Sequence, residues 1–501
     1  MDAFIQAIGH ITEPQTLLVI FLAAIYGLLV GSIPGLTATM SVALLVPVTF
    51  FMEPVPAIAA IVTTTATAIF AGDIPGALLR IPGTPASAAY VDEAYKMTRR
   101  GEGGYALGAG LVTSVIGGII GTIILMALSP QLARVAIQFS SVEYFWLACL
   151  GLTCAVLISG PSPVRGALSL LIGLFIATVG IDIAVGYPRF TFGSVELLDG
   201  ISFIPAMIAM FAISEILRNA LKGDPGKDVE PPRVGPLFTG MGRMLRRYKV
   251  NILRSSLLGS GLGTLPGAGA DIAAWISYTL GRRFSREPEK YGTGHVEGIV
   301  DGGSANNAAV AGAWTPALVF GIPGDTVTAI AIGILFLKGL TPGPLVFTEQ
   351  PDLVYSVFLA FIVANIIMLP LGFMVIRISG MVLRVPMRIL MPMILIFCIV
   401  GAYAVNNTLF AVWILFGLGI IAFLMEENDI PIAPAILGIV LGPMVEDRFM
   451  ITVMRGQGSI VAFFDRPVSG VLGVLTVALW IAMIVKGVRG RRRELGITPS
   501  A

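Results

Sequence analysis

The segment GSIPGLTAT at residues 31–39 has a counterpart in GTLPGAGAD at residues 263–271, at an offset of 232. A second pair follows in the same order, PGALLRIPGTPASA at residues 75–88 and PALVFGIPGDTVTA at residues 316–329, at an offset of 241. Each segment carries a Pro-Gly pair in an apolar stretch, where proline destabilises a helix interior by about 3 kcal/mol or more. Single matches are weak in a chain with 59 glycines and 32 prolines, but their shared order predicts an internal repeat.

The composition is that of a membrane protein. Hydrophobic residues make up 56% of the 501 residues and charged residues 12%, whereas soluble domains carry about 25% charged residues. Apolar passages of roughly 20 residues, long enough to cross a bilayer, recur at residues 106–128, 142–158, 166–186, 353–375, 409–425 and 468–485. About a dozen such passages predict a multi-pass protein. No Lys or Arg precedes Arg80, so the N-terminus does not resemble a cleaved signal peptide.

The longest polar stretch, residues 218–254, contains nine basic and three acidic residues and several prolines, among them Pro225, Pro231, Pro232 and Pro236. Basic residues accumulate in cytoplasmic loops, which places this stretch and the C-terminal tail in the cytoplasm. We therefore predict four parts, namely a first repeat at residues 1–217, a cytoplasmic linker at 218–250, a second repeat at 251–485 and a basic cytoplasmic tail at 486–501.

Charges around the first pair of Pro-Gly segments indicate how the repeats are oriented. Glu13 and Glu53 flank the first segment without a nearby basic residue, whereas Arg254, Arg282 and Arg283 flank its counterpart. Each segment is predicted to begin and end on one face of the membrane, outside for the first and cytoplasmic for the second. The predicted fold is an all-α polytopic membrane protein with two inverted-topology repeats, re-entrant hairpins and interrupted helices.

The four Pro-Gly segments are predicted to interrupt the helices in which they lie, and these breaks form the predicted binding site. Non-helical backbone at membrane depth persists only where protein buries it or where it lines a wet cavity. Half-helix N-termini at such breaks carry partial positive charge and favour an anion such as a carboxylate. The alternative is that these small residues only let helices pack closely, which is the better interpretation for any single glycine. The predicted substrate-binding residues are Ser32, Pro34, Gly35, Thr37, Thr39, Pro82, Gly83, Thr84, Ser87, Pro266, Gly267, Gly269, Pro323, Gly324 and Thr326.

Polar side chains near the breaks are candidates for binding a coupling cation. Asp271 and Asp325 lie inside the repeated segments, and Asn306 and Asn307 could supply carbonyl oxygens to a cation such as Na+. Helix capping is an equally good explanation for the two aspartates. Glu215 is interpreted as an interfacial residue.

Several kinds of chemistry find no support in the sequence. It contains no GxxxxGK[ST] phosphate loop, so hydrolysis of a nucleotide by that chemistry is excluded. Cys149, Cys154 and Cys398 lie in apolar runs without metal-ligand spacing, so no disulfide or metal site is predicted. We therefore predict a protein that is not an enzyme and has no cofactor beyond Na+ or H+ as a coupling ion.

Six motifs together resemble one known family, the large membrane (TctA-type) subunit of the tripartite tricarboxylate transporters. The resemblance covers nearly the whole chain, and its motifs are GSIPGLTAT (31–39), IPGTPASAA (81–89), GTLPGAGADIAAWISY (263–278), SANNAAVAGAW (304–314), GIPGDTVTAI (321–330) and GLTPGPLVF (339–347). It implies a symporter of the bacterial inner membrane that imports citrate or another carboxylate. It also implies a small four-helix membrane subunit and a periplasmic solute-binding protein as partners, and an elevator-type architecture.

One departure from the family pattern concerns the residues before IPGTPAS. A Gly-Ser pair is expected there, but the chain has Gly72-Asp73 followed by Arg80. An acid and a base near the predicted site suggest a substrate other than citrate.

The alternatives to a symporter are a passive anion channel and a membrane-embedded enzyme. We predict contact with membrane lipid and no nucleic-acid partner. The sequence does not determine the oligomeric state, for which a homodimer is one candidate.

Overall fold

The computed structural model describes residues 2–158, 162–182, 186–222, 234–267, 269–383 and 387–494. Most of this is helix, 79% of the residues, as predicted for an all-α protein. The helices of the first half are α1 Asp2–Thr12, α2 Pro14–Gly31, α3 Ala38–Phe50, α4 Pro54–Ala71, α5 Asp73–Leu79, α6 Val91–Arg99, α7 Gly103–Ala136, α8 Ser141–Ile158, α9 Pro163–Ala177, α10 Phe203–Ile208 and α11 Ser214–Lys222, the last two joined by a π-helical turn at Ala209–Ile213.

The second half is also helical. Its helices are α12 Met241–Arg247, α13 Lys249–Gly263, α14 Gly269–Phe284, α15 Val296–Phe320, α16 Thr326–Leu337, α17 Val346–Glu349, α18 Pro351–Val382, α19 Met387–Asn406, α20 Leu409–Glu427, α21 Ala433–Arg455 and α22 Pro467–Glu494. Short 3-10 turns occur at Ser87–Ala89, Pro288–Lys290 and Ile460–Phe463. One antiparallel strand pair, β1 Gly180–Ile181 and β2 Pro188–Arg189, was not predicted.

Six of these helical segments are long and apolar enough to cross a membrane by length and composition, and six shorter apolar helices accompany them. The helix formed by α4 and α5 is buried over 94% of its most apolar stretch, so protein rather than lipid surrounds it. Helix α15 is buried along nearly its whole length, although it contains Asp301, Asn306 and Asn307. Polar side chains on such a helix require protein partners or a wet cavity.

A helix ends beside each of the four predicted breaks. The chain leaves helical geometry between α2 and α3, after α5, between α13 and α14, and between α15 and α16. Gly35 and Gly267 have φ values of 90° and 82° at the first and third breaks. Backbone in this left-handed region favours glycine, which explains why a glycine follows the proline.

The first break produces a helical hairpin. Thr64 Oγ1 on α4 donates to the Ala23 carbonyl oxygen of α2 at 3.4 Å, and Gly31 lies against Ala68. Later residues of α2 therefore meet later residues of α4, so these two helices run in the same direction. Since α3 leads directly into α4, it must run back along α2, as the sequence predicted for a segment that begins and ends on one face.

The third break produces a second hairpin with the same construction. Ser255 of α13 donates to Asp301 of α15 at 2.8 Å, and Gly263 lies against Ala309. Helices α13 and α15 are therefore parallel, and α14 returns between them.

The two longest helices, α7 and α18, pack against each other in opposite directions. Gly118 lies against Asn365, whereas the earlier Leu111 lies against the later Gly372. Each of these helices follows the second Pro-Gly segment of its half. Opposite directions for corresponding helices are what inverted repeats require. Inversion across a membrane nevertheless remains a prediction.

The predicted linker is only partly described. Residues 218–222 continue α11, and residues 241–247 form α12. Pro225, Pro231 and Pro232 lie outside the described residues. Arg218, placed in the linker by its charge, therefore belongs to a helix of the first half.

Candidate functional site

A cavity of about 270 Å³ opens where all four breaks meet. Seven of the predicted site residues line it, namely Thr37, Thr39, Thr84, Thr326, Asp271, Asn306 and Asp325. Further lining residues that the sequence did not predict include Phe211, Ser214, Glu215, Arg218, Glu426 and Ile432. The two halves of the chain therefore contribute jointly to one site.

Three helices begin at this cavity. The first turns of α3, α14 and α16 contribute residues to its wall, including Ala38, Ala270 and Thr326. At α3 the side chain of Thr37 accepts a hydrogen bond from Met40 N at 3.2 Å and so caps the helix. The first N–H groups of a helix have no partner within it and carry partial positive charge. Three N-termini around one cavity therefore favour an anionic ligand.

Hydrogen bonds join the halves at the cavity wall. Thr39 Oγ1 lies 3.2 Å from Thr326 Oγ1, and Ala86 N donates to Asp271 Oδ1 at 3.1 Å. Each bond connects a Pro-Gly segment of one half to a segment of the other. A relative movement of these segments would break both bonds.

The structure distinguishes the two aspartates of the repeated segments. Asp325 is the N-cap of α16, and its Oδ1 accepts from Thr328 N at 2.7 Å. The reciprocal bond from Asp325 N to Thr328 Oγ1 measures 2.8 Å and completes a capping box. Asp271 is not the cap of its own helix, because α14 begins at Gly269 and Asp271 bonds to Ala86 instead. Capping is therefore observed for Asp325, which also lines the cavity.

The two asparagines lie next to each other on α15, and only Asn306 lines the cavity. Asn306 is fully buried, and its Nδ2 donates to the Tyr90 hydroxyl at 3.4 Å. Asn307 donates to the Ala66 carbonyl oxygen at 3.2 Å and does not line the cavity. Within the described part of the chain, neither amide oxygen has a hydrogen-bond partner. Buried oxygens without a donor are suited to a cation.

A cluster of charges on the wall was not predicted. Arg218 Nη1 on α11 lies 2.9 Å from Glu215 Oε2, and its Nη2 contacts Glu426 on α20. Glu215, interpreted from the sequence as an interfacial residue, has a side chain that lines the cavity. The available signal was the amphipathic sequence of α11, which places Glu215 and Arg218 three residues apart on one helix face.

The remaining predicted residues support the breaks and do not line the cavity. These are Ser32, Pro34, Gly35, Pro82, Gly83, Ser87, Pro266, Gly267, Gly269, Pro323, Gly324 and Asn307. Ser32 Oγ bonds to the carbonyl oxygen of Leu29 at 2.8 Å inside its own turn. At Gly83 a Cβ atom would stand 2.6 Å from the Cα of Gly72, so the second break requires a glycine there. Gly267 N donates to the Gly324 carbonyl oxygen at 2.8 Å and ties two breaks together.

The unusual acid and base before the second break do not pair with each other. Arg80 adopts a left-handed conformation with φ of 61° and bonds to Asp92 at 2.8 Å on the exposed side. Asp73 is buried, and its Oδ1 accepts from the Tyr90 hydroxyl at 2.8 Å. Neither side chain lines the cavity.

The charge balance of the cavity is negative. Its wall carries the carboxyl groups of Glu215, Asp271, Asp325 and Glu426 against the single guanidinium of Arg218. No group of three or more His, Cys, Asp or Glu side chains is arranged to hold a metal among the residues described. An anion in the cavity therefore meets both the helix N-termini and Arg218, which attract it, and the acids, which repel it.

Comparisons with known proteins agree with the sequence resemblance. The model of the tripartite tricarboxylate transporter TctA family matches residues 17–437. An uncharacterised 52.8 kDa protein from the TAR-I ttuC' 3' region of Agrobacterium vitis is 33% identical over 482 residues, 96% of each chain. Another from the TAR-II ttuC' 3' region of that organism is 33% identical over 237 residues, 47% of this chain and 98% of that protein. No solved structure matches.

The family match and the first relative both extend over most of the chain, including all four Pro-Gly breaks and every predicted site residue. The chain therefore belongs to the tripartite tricarboxylate transporter TctA family.

Proposed function

We propose that the chain is the large transport subunit of a tripartite secondary transporter that imports tricarboxylates or related carboxylates. A sodium or proton gradient drives the import, and a periplasmic solute-binding protein supplies the substrate. Membership of the family makes the chain a bacterial membrane protein and a transport subunit, not an enzyme. A small membrane subunit and the binding protein are the partners that a tripartite system implies.

The cavity at the breaks is the observation that supports this proposal. It combines three helix N-termini, hydroxyl groups from both halves, among them Thr39 and Thr326, and the guanidinium of Arg218. These are groups that bind carboxylates through N–H and O–H donors. A volume of about 270 Å³ suits a small organic anion and not a macromolecule.

The acids of the wall support coupling to a cation. An anionic substrate beside Asp271 and Asp325 meets two carboxylates at close range, and like charges in a partly buried site repel strongly. Binding Na+ or H+ together with the substrate removes this repulsion. The protein then binds substrate and cation together, which is the behaviour of a symporter.

Uptake into proteoliposomes tests the proposal. The large and small membrane subunits are reconstituted together, the binding protein is added outside, and labelled citrate serves as the probe tricarboxylate. We expect accumulation that needs the binding protein and either a sodium or a proton gradient. Unchanged uptake after both gradients are collapsed would exclude a secondary transporter.

The passive-channel alternative makes a different prediction in the same vesicles. A carrier exchanges external labelled citrate for internal unlabelled citrate and saturates with concentration. A channel shows neither counterflow nor saturation. Saturation with counterflow therefore distinguishes the proposed transporter from a pore.

A further inference from the structure

A buried acid lies behind the cavity at Asp73 on α5, with only 7% of its surface exposed. Its Oδ1 accepts a hydrogen bond from the Tyr90 hydroxyl at 2.8 Å, and its Oδ2 has no hydrogen-bond partner among the described residues. The Tyr90 hydroxyl in turn accepts from Asn306 Nδ2 at 3.4 Å. Asn306 lines the cavity, so two side chains, Tyr90 and Asn306, connect the buried acid to the candidate site.

The helices packed against Asp73 bring no free cation to it. Helix α7 places Gly110 next to Asp73. A Cβ atom added to Gly110 would lie 3.6 Å from Asp73 Oδ2 and 3.7 Å from Ile299 of α15. Helix α4 contains no ionisable side chain. On α15 the acid nearest in sequence to the residue that contacts Tyr90 is Asp301. Its carboxylate pairs with Arg254 at 2.6 Å.

Four charged residues of the neighbouring break and α6 are engaged elsewhere, and Arg99 at the end of α6 is exposed. Arg80 bonds to Asp92 on the exposed side of the break. The carboxylate of Glu93 accepts hydrogen bonds from Tyr278 and from the backbone N–H groups of residues 292, 294 and 295. Lys96 contacts the Gly292 carbonyl oxygen. Asp73 is thus a buried acid with one neutral hydrogen-bond donor.

A carboxylate in such surroundings is unstable, because burial removes its water and no cation replaces it. The acid becomes compatible with its site when Oδ2 carries a proton and the group is neutral. We propose that Asp73 is the site that binds the co-transported proton, with Tyr90 and Asn306 as positioning residues that link it to the substrate cavity. This inference rests on the proposed function and deepens it by naming the coupling ion and the residue that carries it.

The geometry also explains how substrate and proton would be coupled. An anion in the cavity makes a negative charge on Asp73 less favourable and so promotes uptake of a proton. The linkage is reciprocal, since a neutral Asp73 makes the cavity more favourable for an anion. The protonation adds H+ to a carboxylate oxygen and needs no other reactant.

Infrared spectroscopy tests the protonation without any substrate. In the purified membrane complex at neutral pH, we expect a carboxylic acid C=O band that disappears in Asp73→Asn. The matched control Asp92→Asn, which changes an exposed acid, should retain the band. In Tyr90→Phe the band should shift, because its hydrogen-bond donor is lost. A wild-type spectrum identical to that of Asp73→Asn in this region would overturn the inference.

Transport tests the coupling. Proteoliposomes with a pH dye inside and labelled citrate outside should show proton entry with citrate uptake in the wild type. Asp73→Asn keeps an oxygen acceptor for Tyr90 but cannot bind a proton, so we expect proton-driven accumulation to fall about tenfold or more while citrate counterflow persists. Proton-driven accumulation by Asp73→Asn at the wild-type level would refute the role of Asp73.

Two outcomes separate this inference from the proposed function. Wild-type uptake that follows a sodium gradient and ignores pH would refute the proton site and leave the import function intact. Absence of any gradient-dependent citrate uptake would count against the proposed function, while the infrared band still decides whether Asp73 holds a proton.

Discussion

Replacement of Asp325 separates a capping role from a role in transport. Its Oδ1 accepts from Thr328 N at 2.7 Å, and its carboxyl group lines the cavity. Asparagine retains an acceptor oxygen in the same position, and asparagine and aspartate are equally good caps, so Asp325→Asn should change stability by no more than a few tenths of a kcal/mol. Asp325→Ala removes the cap and should destabilise the protein by about 0.5–2 kcal/mol.

Thr328→Ala supplies the matched control. It removes the reciprocal hydrogen bond to Asp325 N, measured at 2.8 Å, but leaves the carboxylate at the cavity. We expect it to destabilise the protein by about 0.5–2 kcal/mol, as capping changes do, and to leave citrate uptake near the wild-type level.

The assay compares thermal unfolding in detergent with the initial rate of gradient-driven uptake in proteoliposomes. If the charge of Asp325 acts in transport, Asp325→Asn should be nearly as stable as the wild type yet lose about tenfold or more in uptake, a free-energy difference of about 1.4 kcal/mol. Wild-type uptake by Asp325→Asn, with reduced uptake only in the two variants that lose stability, would show that Asp325 is a helix cap and nothing more.

Three further predictions concern packing, the cavity and orientation. Gly121→Ala places a Cβ 2.7 Å from a carbonyl oxygen of α15 and should destabilise the protein by about 1–3 kcal/mol in thermal unfolding. The control Gly261→Ala has open space around the added Cβ and should be neutral or stabilising by up to about 1 kcal/mol. Arg218→Gln removes the cation of the cavity wall and should raise the KM for citrate about tenfold, which corresponds to a loss of about 1.4 kcal/mol in binding free energy. An unchanged KM would show that Arg218 does not bind the substrate. Single cysteines at Glu53 and Arg282 should react with impermeant reagents from opposite faces, and labelling from the same face would disprove the inverted arrangement.

The breaks could be predicted from the sequence because their causes are local. Proline removes a helix hydrogen bond wherever it stands in a helix interior, and glycine supplies the positive φ observed at Gly35 and Gly267. Membrane-spanning helices can be predicted from hydropathy over about 20 consecutive residues, because this property does not depend on which helices pack against them. The sequence by itself therefore determined a polytopic helical protein, four interrupted positions and the class of residue around them.

The identity of the residues that line the cavity depended on the tertiary structure. Whether a side chain faces a cavity depends on how its helix is rotated against helices distant in the chain, which local periodicity does not specify. Arg218 and Glu426 meet across α11 and α20 although 208 positions separate them. Asp73 stood out in the sequence only as an unusual acid near Arg80. Its burial, its bond to Tyr90 and its separation from Arg80 arise from packing between α5, α7 and α15, and only the folded chain decides them.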